Sequence, residues 1–361
     1  MATRDDLPVP NLTNATAFGK RMVAIIDDAA TALLLSIGHQ TGLFDTLARM
    51  PRSTSTQLAD AAGLNERYVR EWLGGVASSG LVNYHAESAT YTMPADHIPA
   101  LTTSGGPRNV AQMGQSIADF GAVEAQILDC FRHGGGLPYE AYPRFHEVMA
   151  ERSSARVDTA LLDVVLPLVD GLVDRLRAGI DVADIGCGSG HAINVMAKAF
   201  PASRFTGYDF SEAAVGRARA ESAEWGVSNT SFVVADVSTL TAVDEFDAIT
   251  VFDAIHDQAK PGQVLANIFR ALRPGGALLM VDIKASSNLE DNIGQPFAPL
   301  LYMTSTMHCM SVSLGMNGAG LGAMWGEQLA LSMLSDTGFR DVKVAGVEVD
   351  PYNNYYLAHK R

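Results

Sequence analysis

Residues 181–191, Asp-Val-Ala-Asp-Ile-Gly-Cys-Gly-Ser-Gly-His, decide how the chain is read. A short apolar run of strand type, Asp181–Ile185, ends in glycines at 186, 188 and 190, and helix-forming residues, AINVMAKAF, follow. Glycine at these places lets the backbone turn sharply and lets a ligand approach the start of the next helix with no Cβ in the way. The spacing is GxGxG rather than the GxGxxG of dinucleotide folds, and taken alone it is equally a tight turn.

The residues downstream narrow the choice. Further short apolar runs, RFTGYDF, SFVVADV, FDAITVFDAI and GALLMVDI, alternate with helical stretches, the pattern of a doubly wound parallel α/β sheet. Asp209 ends the second run, where a carboxylate accepts both hydroxyls of a ribose, and Asp236 ends the third, where one accepts an adenine amine. Phe210 and Phe252 are placed to pack on an adenosine. Each aspartate alone reads as a helix cap; such positions at successive strand ends read as a nucleoside site. The final residues, RDVKVAGVEVD, PYNN and YYLAHK, predict two strands joined by a turn at PYNN, an antiparallel hairpin closing the sheet.

Upstream, Ala17 to about Leu47 carries Met22, Ile25, Ile26, Ala29, Ala32, Leu33 and Ile37 at helical spacing and predicts an interface helix apolar on more than one side. Two short helices joined at Gly63-Leu64-Asn65, then strands near Leu81–Tyr84 and Thr90–Met93, predict a winged helix. The expected division is a helical and winged-helix dimerisation domain over 1–106, a helical, substrate-lining region over 107–179 broken by RHGGGLPYEAYP, and the α/β domain over 180–361.

The 361 residues carry 26 Lys+Arg against 40 Asp+Glu, a net charge of −14, which disfavours nonspecific nucleic-acid binding. Only 18% of residues are charged and 47% are apolar, with mean hydropathy +0.09, so large buried interfaces and a homodimer are expected. Three scattered cysteines predict no disulfide framework and fit a reducing cytoplasm. The N-terminus lacks a signal-peptide layout, and no apolar run reads as long enough to span a bilayer, so no membrane partner is expected.

DVADIGCGSG, GYDFS, VVADV and FRALRPGGALLMVDI together resemble the successive motifs of class I S-adenosylmethionine-dependent methyltransferases, over about residues 180–361. With the winged helix the layout is similar to the small-molecule O-methyltransferase type, and more narrowly to its regulator-like subgroup. The resemblance implies a Rossmann-like sheet and S-adenosylmethionine as methyl donor. It places Asp184, Gly186 and Gly188 at the methionyl part, Asp209 at the ribose, Asp236 and Val237 at the adenine, and Phe252 beside the sulfonium.

Methyl transfer from a sulfonium requires alignment of a nucleophile, exclusion of water and, for a hydroxyl acceptor, removal of a proton. In FDAITVFDAIHDQAKP, His256 and Asp257 follow the fourth strand, and methyltransferases of similar layout carry a histidine base at this place. A histidine that only positions substrate, or only bonds the backbone, stays open. Tyr139, Tyr142, Phe145, His146, His308, Cys309, Met310 and Trp325 are candidates to line an acceptor cavity, although an aromatic or Met at such spacing is more often core. No metal site is expected: metal-dependent methyltransferases chelate with carboxylate clusters, none stands near Asp236, and convergence of His146, His256 and His308 with Asp257 is the weaker reading. Two other classes compete with a methyltransferase acting on an apolar or aromatic small molecule. One is a winged-helix transcription regulator that senses a ligand, disfavoured because Glu66 and Glu71 accompany Arg67 and Arg70 in the would-be reading helix. The other is a protein that binds the cofactor without methyl transfer.

Overall fold

A computed structural model describes residues 12–361, save for the side chains of residues 12–15 and of His146. Residues 1–11, read above for a signal pattern, lie outside the described residues. The chain separates into two compact units, Met1–Ala118 and Asp119–Arg361.

In the first unit, α1 (Leu12–Gln40) and α2 (Leu43–Arg49) replace the one helix expected over 17–47, because Gly42 takes φ +67° between them. α3 (Ser55–Ala62) starts from a capping box on Thr54 and Gln57, and α4 (Glu66–Ser78) from the Asn65 side chain. The strands β1 (Asn83–His85) and β2 (Thr90–Thr92) pair antiparallel as the wing. Phe44, Leu47, Leu58, Trp72, Leu73 and Val76 form the core of this unit.

α1 corrects a second expectation. Its residues 16–40 are long and apolar enough to cross a membrane by length and composition, although the charged Lys20, Arg21, Asp27 and Asp28 interrupt the run as read in one dimension. Phe18, Val23 and Ile26 are each more than 60% exposed in the single chain. The adjacent carboxylates Asp27 and Asp28 lie mid-helix, where burial in hydrocarbon would be costly.

The second unit is built on a seven-stranded sheet of order β5-β4-β3-β6-β7-β9-β8. β3 (Asp181–Ile185), β4 (Arg204–Asp209), β5 (Thr230–Val234), β6 (Phe246–Phe252) and β7 (Leu272–Ile283) are parallel; β9 (Asp350–His359) is antiparallel to both β7 and β8 (Arg340–Val347). The terminal hairpin turns earlier than expected: Val347 pairs with Asp350, so the turn is Glu348-Val349, and PYNN lies inside β9. Asp350 holds this corner by accepting hydrogen bonds from Asn353 Nδ2 (2.9 Å) and the Tyr355 hydroxyl (2.6 Å).

Apolar side chains cover both faces of the sheet, which is why the central strands read as continuous apolar runs. The strand order reverses between β3 and β6, and in open α/β sheets the crevice at such a reversal, beyond the carboxyl ends of the strands, receives ligands. The glycine loop after β3 and the segment after β6 therefore open onto the same place.

Candidate active site

The glycine loop has φ of +73°, +53° and +72° at Gly186, Gly188 and Gly190, the left-handed region that favours glycine. A Cβ would strike Ala254 at Gly186 and Ala218 at Gly190, each at 2.5 Å, but would meet nothing within 4 Å at Gly188. The outer glycines are thus fixed by packing, while the middle one faces open space. Asp209 latches the loop: its Oδ2 accepts the Gly188 N–H at 2.9 Å and its Oδ1 the Ser211 N–H at 2.8 Å. Beneath, Asp184 is buried and accepts from the Thr250 hydroxyl at 2.7 Å. Burial pushes its carboxyl up to about 7, Asp209 adds to the rise, and Thr250 opposes it.

The remaining expected cofactor residues border the same strand ends. Phe210 is exposed and its ring centroid lies 5.0 Å from that of Tyr139. Asp236 caps the turn Val237–Thr239 by accepting the Ser238 N–H. The Val237 side chain is buried and its carbonyl accepts from Asn267, which leaves its N–H as the group available to a ligand. Phe252 is half-buried at the end of β6. An open backbone cradle at Gly188, a latched carboxylate at the end of β4 and a further carboxylate at the end of β5 fit a nucleoside carrying an amino-acid tail.

Beyond β6 the structure assembles a chain of polar groups. His256 is buried, and its Nδ1 lies 2.7 Å from Asp282 Oδ1. The same oxygen accepts Trp325 Nε1–H at 3.0 Å and the Ile283 N–H at 2.8 Å. His256 Nε2 stands 3.3 Å from Asp257 Oδ1, an ion-pair distance without hydrogen-bond alignment, while Asp257 Oδ2 accepts from the Tyr139 hydroxyl at 3.2 Å. Burial alone disfavours an imidazolium here; Asp282 and Asp257 outweigh it and hold the His256 pKa well above the ordinary 6.5. Cys309 is buried beside them, its thiol pushed up to about 12 by burial and by Asp257. Ligand atoms of His256, Asp257 and Cys309 lie within 4.8 Å of one another, a nitrogen, oxygen and sulfur set able to hold a metal ion that sequence reading did not foresee.

An aromatic wall completes the site. Phe145 stacks on His308 at 3.7 Å, Tyr142 meets His308 edge-on at 4.6 Å and bonds the Met307 carbonyl, and Tyr139 lies 5.3 Å from His308. The loop that carries Tyr139 sits so close to the segment 305–315 that a Cβ on Gly136 would lie 1.8 Å from the Ser311 carbonyl oxygen. Of the expected lining residues, Tyr139, Phe145, His308 and Cys309 come together; Trp325 is buried and acts behind His256 through Asp282; the side chain of His146 lies outside the described residues. Asp282 was missed. The signal for it was present in LLMVDI, a carboxylate ending an otherwise apolar strand beside the one that delivers His256.

Comparison with known proteins agrees with this geometry. Residues 29–103 match the family described as Rv2258c-like winged HTH domain, and residues 176–328 match that described as Methyltransferase domain. Residues 176–328 thus form a methyltransferase domain. Curated relatives of its methyltransferase domain include malonyl-[acyl-carrier protein] O-methyltransferase of Bacillus cereus, 30% identical over 102 residues, 28% of this chain and 37% of that protein. Trans-aconitate 2-methyltransferase of Acidovorax sp. is 28% identical over 120 residues, 33% of this chain and 42% of that protein. The chain thus spans about two fifths of these relatives' length. Among solved structures, mitomycin 7-O-methyltransferase superposes with TM-score 0.70 at 20% identity, covering 96% of this chain and 99% of that one. Human N-acetylserotonin methyltransferase in complex with SAM gives 0.66 at 18%, covering 95% and 97%. At such identities these two show a shared fold that includes the winged helix.

Proposed function

We propose that this methyltransferase moves a methyl group to a nucleophilic atom, most simply an oxygen, of an apolar or aromatic small molecule, with His256 removing the proton. The observation that carries the reading is the buried His256–Asp282 pair set between the glycine cradle and the aromatic wall. S-adenosylmethionine supplies an electrophilic methyl on a sulfonium. Gly186 and Gly188 with Asp184 hold its methionyl part, Asp209 its ribose, and Asp236 with the Val237 N–H its adenine; Phe210 and Phe252 flank it. Asp282 fixes the imidazole by taking the Nδ1–H and leaves Nε2 to receive the acceptor's proton. Tyr139 and Asp257 close the polar side of the site, and Phe145, His308 and Cys309 exclude water from the acceptor side.

Asp209→Ala removes the latch of Gly188 together with the ribose acceptor. The variant is expected to bind S-adenosylhomocysteine about 2–3 kcal/mol more weakly by calorimetry, the loss of a charge-assisted hydrogen bond with partners left unpaired. Unchanged affinity would remove the cofactor assignment.

The exposed apolar residues of α1 support a homodimer built by α1 and the winged helix. Light scattering is expected to give twice the chain mass at low micromolar concentration and a lower mass for the double variant Val23→Asp, Ile26→Asp. A monomeric parent chain would refute this interface. A cytoplasmic location fits three separate free thiols. The DNA-reading alternative is disfavoured because Arg67 pairs with Glu71 and Arg70 with Glu66, neutralising on α4 the cations that phosphates would need.

A further inference from the structure

Two arginines one turn apart on the helix Phe145–Ala160 have opposite surroundings. Arg156 Nη1 stands 2.9 Å from Asp253 Oδ2 and 3.5 Å from Asp350 Oδ2. Arg152, among the described residues, has neither an ion pair nor a hydrogen bond. A guanidinium carries five N–H donors and stays charged in proteins, so a deeply set one without partners is costly to keep.

Its direction follows from helix geometry. Phe145, Met149, Arg152 and Arg156 are spaced i, i+4, i+7 and i+11 and share one face. At about 1.5 Å per residue, Arg152 stands roughly 10 Å beyond Phe145 and roughly 6 Å before Arg156. Phe145 stacks on His308 and Arg156 pairs with Asp253, so this face runs along the site from the neighbour of Cys309 to the segment that delivers His256. Arg152, Arg156 and Asp253 all keep part of their surface accessible although they are set deep in the unit, as groups lining an internal space do. Burial lowers the Arg152 pKa, and Asp253 only partly offsets it. Arg156 engages Asp253 through Oδ2, and the Oδ1 of Asp253 is buried without a partner, so neither oxygen of that carboxylate is bonded to Arg152.

We propose that Arg152 is the receptor for a carboxylate of a bound ligand, gripped by two parallel N–H···O bonds of its planar fork. Such a carboxylate comes either from the methionyl end of the cofactor or from an acidic acceptor. The position of Arg152 between His308 and Asp253 favours an aromatic or apolar acid as acceptor, a specificity that rests on the methyl-transfer reading of the site.

The test uses the full chain with Arg152 intact, Arg152→Gln and Arg152→Lys, each checked by thermal melting. Calorimetry with S-adenosylhomocysteine and with 5′-methylthioadenosine, which lacks the amino-acid tail, reads the cofactor source. Salicylate, 4-hydroxycinnamate and 3-phenylpropanoate, each against its primary amide on cofactor-loaded protein, read the acceptor source. A loss of at least tenfold in Arg152→Gln for S-adenosylhomocysteine but not for methylthioadenosine supports the proposal with the cofactor as source. A loss of acid-over-amide preference, partly restored in Arg152→Lys, supports it with the acceptor as source. Equal binding of acids and amides to the parent chain, with cofactor affinity unchanged in Arg152→Gln, would overturn it; so would a variant that only melts earlier. If the parent chain binds neither nucleoside, the methyl-transfer reading fails, and acid-over-amide preference measured without cofactor still decides the role of Arg152.

Discussion

His256→Ala is expected to lower methyl transfer to a hydroxyl acceptor by roughly 10²–10⁴ while leaving cofactor affinity within a factor of a few, the usual contribution of a positioned base. The reason is its place: Nδ1 is committed to Asp282, and Nε2 has no aligned hydrogen bond to Asp257, so the ring is oriented and its second nitrogen is available. The pH profile follows from the raised pKa. An imidazolium cannot take a proton, so the rate should climb with pH and level off later than for an ordinary imidazole, because Asp282 and Asp257 raise the His256 pKa well above 6.5. The variant should lack that limb. By linkage, the folded-state pKa lies above the unfolded one, so the stability this charge contributes is fully present below about pH 6.5 and is lost as pH rises through the folded value. A pH–rate series on both proteins checks the prediction; equal rates would make His256 structural.

Asp282→Ala should cost the most stability. The side chain is fully buried, and one of its oxygens takes His256 Nδ1, Trp325 Nε1–H and the Ile283 N–H. Its removal strands these donors in a dry interior, a loss of about 3–5 kcal/mol by urea denaturation, the scale seen when one partner of a buried charge pair is deleted. Asp282→Asn keeps an oxygen acceptor without the charge, so it should fold better than the alanine variant and move the rising limb of the rate profile to lower pH, since the attraction that raises the His256 pKa is weakened. An asparagine variant with the parent's profile would show that Asp282 does not tune the base.

What was legible in the sequence was whatever rests on local periodicity. The strands from Asp181 to Ile283 and the winged helix announce themselves through apolar runs, caps and glycines, and the residues proposed to hold the cofactor sit at strand ends that such a reading locates. Breaks set by a single backbone angle were harder: Gly42 splits α1 from α2, and the register of Val347 with Asp350 moves the last turn off PYNN. Least legible were meetings across sequence. Asp282 joins His256 only because β6 and β7 are neighbours, and Trp325, read as a lining residue, proves to be the donor behind that carboxylate. Cys309 joins His256 and Asp257 because the segment 305–315 folds back over the strand ends, and no spacing encodes that approach.

The central claim is methyl transfer to a small molecule, and incubation of the full chain with a cell extract and isotopically labelled S-adenosylmethionine tests it most directly. The account predicts a labelled low-mass product and a matching yield of S-adenosylhomocysteine, both reduced at least a hundredfold in His256→Ala. Bound cofactor with no labelled product from any extract, or equal labelling by parent and variant, would contradict it.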